Sequence, residues 1–66
     1  MSIAKIIEVV AEGSSIEKAI ENAVKEASKT LRGIKGVDVI HFTAIVQDNK
    51  VVSYRVNAKI AFEVEH

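Results

Sequence analysis

The chain has 66 residues, with nine basic and nine acidic side chains in balance, two histidines, no cysteine and no tryptophan. That length allows one domain, residues 1–66, and a domain so small buries only about 60% of its unfolded surface, so its own core is marginal. Disulfides and thiolate metal sites are excluded, neutral charge gives no footprint for nucleic acid or an anionic membrane, and subunit association is the remaining common source of stability.

Residues 3–11 are rich in Ile and Val and read as a first strand. Ile6, Ile7, Val9 and Val10 put apolar groups on both of its faces, which argues for cover on both sides. The apolar run over residues 6–11 is too short to span a bilayer, so a soluble cytoplasmic protein without membrane partners is the expectation. Gly13-Ser14-Ser15 ends the strand, and Ser14 with Glu17 has the spacing of a capping box that opens a helix. Ile16, Ala19, Ile20, Ala23, Val24, Ala27 and Leu31 form its apolar stripe. Several of these are small, so the helix can approach a sheet closely. Glu21 and Lys25 are spaced for an ion pair, and Gly33 is the natural residue to end the helix.

Residues 37–47 read as a second strand and Asp48-Asn49-Lys50 as a turn. A three-residue loop pairs Gln47 with Val51 and Phe42 with Val56. It sets His41, Thr43 and Ile45 beside Asn57, Arg55 and Ser53. From Val52 onward the alternation is nearly unbroken: Val52, Tyr54, Val56, Ala58, Ile60, Phe62 and Val64 are apolar, with polar residues between them except at Ala61. Such a pattern is one long strand with a dry and a wet face. Typical strands run about 5–6 residues, so this one presents more dry surface than a small domain can cover, and a homo-oligomer is expected.

The order is β-α-β-β. The helix returns the chain so that the first two strands run the same way, and an antiparallel sheet must then place the third between them. The expected fold is α+β, a three-stranded antiparallel sheet of order 1-3-2 packed on one helix. The uncovered face, with Val39 and Ile45 among polar groups, must meet water, a ligand or another subunit.

With that order in hand, the chain resembles the dodecins, small β-α-β-β proteins that assemble as hollow shells of twelve subunits. The resemblance covers essentially the whole chain. It is carried by residues 5–10 (KIIEVV), by residues 27–32 (ASKTLR) at the helix end, and by the tail from Tyr54-Arg55-Val56 through Ala61-Phe62-Glu63-Val64. The turn after the first strand departs from the family's usual Gly-Thr-Ser. The resemblance implies a flavin (FMN, riboflavin or FAD) held between subunits. In flavin-binding members a tryptophan just before the second strand stacks on the isoalloxazine ring, and a glutamine after the tyrosine of the third strand bonds its pyrimidine edge. The corresponding residues here are Gly36 and Arg55. Glycine supplies no ring face and arginine only donors, so weakened flavin affinity is the expectation. A branch described as calcium-binding looks similar at these positions.

Weighed residue by residue, Gly36 is a loop residue or an open slot for a ligand. Arg55 either clamps a phosphate or carboxylate or pairs with an acid of a neighbouring subunit. His41 is a solvated or interface histidine, or else a metal ligand, a base or a ligand-binding residue; His66 is terminal. Asp38 either pairs with Lys59 on the surface or, with Glu63 and Glu65, supplies oxygens to calcium across subunits. No specific metal ligands are assigned. No nucleophile–base pair, phosphate loop or readable carboxylate pair is present, so no enzyme is expected. The candidate ligand-binding set is Gly36, Asp38, His41 and Arg55. It belongs to a shell that binds or stores a small ligand, to a calcium-binding relative, or to an assembly without a ligand.

Overall fold

The structure is a computed structural model that describes residues 2–65. Strand β1 (Ser2–Gly13) is followed by helix α1 (Ile16–Ala27), strand β2 (Ile34–Gln47) and strand β3 (Lys50–Glu65). The sheet is antiparallel with order β1-β3-β2, as the return helix and the hairpin require. The helix lies over β1 and β3 and touches β2 least. Among the described residues, no helix is long and apolar enough to cross a membrane.

The core forms where the small stripe of α1 meets the dry face of β3. Ala19, Ala23 and Ala27 are buried against Val56, Ala58 and Ile60. Ile7, Val9, Leu31, Ile34 and Val37 close around them, half-buried. Alanines at four-residue spacing let the helix backbone approach the sheet, and burying a side chain such as Ile60 is worth about 1.5–3 kcal/mol. One close approach is at Gly13. A Cβ there would lie 2.7 Å from the carbonyl carbon of Lys18 and would collide with the backbone of Ala19.

Local details depart from the sequence reading. The helix is capped by Ser15, not Ser14: the Ser15 hydroxyl accepts from the Lys18 amide at 3.0 Å. The helix ends at Ala27 with Ser28 as its cap, six residues before Gly33. Gly33 instead takes a left-handed φ of 74° in the connection, where its carbonyl accepts from the Glu63 amide at 3.0 Å. The surface ion pairs on the helix side are Lys18–Glu21 and Glu26–Lys29, in place of Glu21–Lys25.

The β2–β3 connection is also shorter than expected. Asp48 and Asn49 form a two-residue turn with φ of 52° and 63°, and Gln47 pairs with Lys50. Positive φ at both central residues matches the right-handed twist of the strands. A one-residue shift beside Ile45 and Val46 leaves Val52 without a partner and restores the register, so Phe42 still pairs with Val56 and Thr43 with Arg55. Two further shifts, at Lys35 and at Ile40, interrupt β2. As a result Gly36 lies within a strand, not a loop, and Val39 pairs with Ala58 on the helix side, not among the polar groups of the other face.

Candidate functional site

The outer face of the sheet, away from α1, carries every candidate residue. Four rows cross it from β2 through β3 to β1. They are Gly36–Ala61–Ile6, Asp38–Lys59–Glu8, His41–Asn57–Val10 and Thr43–Arg55–Glu12. The bulge at Ile40 is what puts the four candidates on one face. In an uninterrupted strand, Gly36 and Asp38 would face opposite to His41, because side chains alternate with period two. The extra residue switches β2 from even to odd numbers on the outer face, and a bulge re-aims side chains in this way.

Gly36 borders open space: a Cβ built there meets nothing within 4 Å. Arg55 leans toward Glu12, its guanidinium Nη2 3.8 Å from the Glu12 carboxylate oxygen, with both side chains about half exposed. Such a pair is worth about 0–1 kcal/mol and leaves the guanidinium able to turn to another anion. Lys59 stands in register between Asp38 and Glu8, so a cationic side chain occupies the middle of the one row with an acid at each end. Among the described residues, no three His, Asp or Glu side chains are grouped to hold a metal ion. His41 is exposed opposite Asn57. The side chain of Glu65, a third acid considered for calcium, and His66 lie outside the described residues.

The expected pair of ligand contacts does not converge in one protomer. Gly36 sits opposite Ala61 and Arg55 lies six residues away along β3, about 20 Å at the rise of an extended strand. A ring system touching both positions must take them from different subunits. Nor do the residues fit a flavin well. Tyr54, Val56 and Phe62 of β3 share the helix side with Phe42, so no Phe, Tyr or Trp lies in the four outer rows.

The candidate set read from the sequence left out the outer-face residues of β1, although their apolar character was noted. Ile6 and Val10 stand among Glu8 and Glu12 and are 63% and 59% exposed. The signal was there, in apolar residues on both faces of the first strand, but the structure shows that the protomer covers only one of those faces.

The small β-α-β-β unit leaves one sheet face bare and partly apolar. The dodecin family profile matches residues 3–65, and the chain belongs to the dodecin family. Its structure is similar to that of dodecin from Streptomyces coelicolor, with a TM-score of 0.90 and 29% identity, covering 98% of this chain and 94% of that one. It is similar to a tryptophan-to-phenylalanine variant of Thermus thermophilus dodecin, with a TM-score of 0.91 and 27% identity over 100% of both chains. Dodecin from Streptomyces davaonensis, at 20% identity and a TM-score of 0.90 over 98% of this chain and 97% of that one, shares the fold. No curated protein sequence matches the chain.

Proposed function

We propose that this protein is a cytoplasmic binding and storage shell, not an enzyme, built from twelve copies of the chain. Its small-ligand sites lie where the outer sheet faces of neighbouring subunits meet. One observation carries this reading. Ile6 and Val10 expose apolar side chains at the β1 end of two of the four rows that hold Gly36, Asp38, His41 and Arg55, so covering the apolar residues brings a second subunit over the polar ones. With six buried core side chains among the described residues, association supplies the missing burial.

The ligand is a flavin (FMN, riboflavin or FAD) bound weakly, since Gly36 offers no stacking face and Arg55 no acceptor. The alternative ligand is calcium, held by acids such as Asp38 and Glu63 combined across a symmetry axis. Lys59 between Asp38 and Glu8 weighs against it.

Light scattering tests the assembly: a 7.2 kDa species at micromolar concentration would refute the shell. Quenching of added riboflavin fluorescence supports the flavin reading, and a melting temperature that rises with calcium supports the alternative. An assembled shell that gives neither is a scaffold without these ligands.

A further inference from the structure

Positive charge is concentrated in one segment of this neutral chain. Residues 25–35 hold Lys25, Lys29, Arg32 and Lys35 against a single acid, Glu26. Two of these cations have local roles. Lys25 sits in the last turn of α1, at the negative end of the helix dipole, and Lys29 pairs with Glu26 at 3.0 Å. Arg32 and Lys35 lie beyond the helix. Both are exposed, and among the described residues neither forms an ion pair.

These two cations line one hollow of about 340 Å³, together with Gly33 and Glu63. Two backbone features build it. Gly33, with its left-handed φ of 74°, ties the connection between α1 and β2 to the end of β3, through the bond from the Glu63 amide to its carbonyl. Lys35 is the residue left unpaired where the register shifts between Ile34 and Gly36, and a bulge re-aims the side chain it carries. The amides of Arg32 and Gly33 donate to no group among the described residues, so two backbone donors remain beside the two cations. The hollow is remote from the Arg55 row: Glu63 is eight residues further along β3, about 27 Å at the rise of an extended strand.

We propose that this hollow is a phosphate site, with Arg32 and Lys35 holding the anion between them. The guanidinium fork of an arginine can bond two phosphate oxygens at once, and a lysine ammonium adds a compact point charge. Glu63 is the one acid on the lining, so the cations outnumber it before any ligand binds, and its carboxylate moderates the affinity. The ligand class is inorganic phosphate or the head group of a phosphate monoester. All four lining residues belong to one protomer, so the site depends neither on the shell nor on a flavin.

Phosphorus NMR titrations of the full chain with inorganic phosphate and with glycerol 3-phosphate test the site. The parent should broaden the ligand resonance saturably, and added sodium chloride should weaken binding. Arg32→Gln and Lys35→Gln should each weaken it about two- to fivefold, and Glu63→Gln should strengthen it by a similar factor, the effect of one exposed charge contact. Tighter binding of glycerol 3-phosphate would identify a phosphorylated compound as the ligand; binding of inorganic phosphate at least as tight would identify the free anion. Circular dichroism checks that each variant is folded, and if Arg32→Gln is not, Lys35→Gln and Glu63→Gln carry the charge test between them. A folded parent that binds neither probe saturably, or binding that the charge changes leave unaltered, overturns the proposal.

Discussion

Gly36 and Arg55 share the outer face of the sheet yet stand about 20 Å apart along it, one opposite Ala61 and the other opposite Thr43. Restoring a stacking ring at Gly36 and an amide at Arg55 therefore acts on a ligand only if two subunits contribute. We expect the double change Gly36→Trp with Arg55→Gln to bind riboflavin at least tenfold more tightly than the parent. Stacking is worth about 1–3 kcal/mol, and each 1.4 kcal/mol is about tenfold. Fluorescence quenching titrations measure both constants. Equal weakness in the two proteins would mean that the shared pocket is shaped for a different ligand.

Within the protomer, Ile60 is the deepest large side chain, fully buried between the helix and the neighbouring strands. Ile60→Ala should cost about 2–5 kcal/mol. Phe62 is only half-buried and should cost less than the 3–5 kcal/mol of a fully buried phenylalanine, unless an assembled neighbour completes its cover. Thermal or denaturant melts rank the two. A larger loss at Phe62 than at Ile60 would reveal that association buries it.

Glycine-to-alanine changes should separate three environments. Gly13→Ala drives a methyl into the backbone of Lys18 and Ala19, where nothing flexible can yield, and should be the most damaging. Gly33→Ala must hold φ at 74°, at roughly 1–2 kcal/mol. Gly36→Ala enters open space and should be close to neutral in the protomer. Any other order in a urea unfolding series contradicts the packing described for the end of β1.

Arg55 and Glu12 meet on the exposed face at 3.8 Å, too long for a hydrogen bond. A double-mutant cycle with Arg55→Ala and Glu12→Ala should give a coupling of no more than about 1 kcal/mol, falling with added salt. A coupling of several kcal/mol that resists salt would place the pair inside a subunit interface.

The alternation of β3 determined which of its residues face the helix and which face outward, because side chains on an extended strand can only alternate. Val56, Ala58 and Ile60 are buried and Arg55, Asn57 and Lys59 lie outside, as that pattern requires. The small stripe of α1, Ala19, Ala23 and Ala27, identified the packed side of the helix in the same way. The order β1-β3-β2 followed from one return helix and one hairpin. Strand β2 was legible only in part. Val37, Val39, Ile40, Phe42, Ile45 and Val46 put apolar residues at both odd and even positions, so no period-two pattern marks where a residue is left unpaired. The bulges at Lys35, Ile40 and Val52 and the two-residue turn at Asp48-Asn49 are set by pairing with β3, a long-range constraint. The bulge at Ile40 places Gly36 and Asp38 on the same face as His41 and Arg55. The composition of the candidate site was therefore written in the sequence, while its assembly on a single surface was decided by strand pairing.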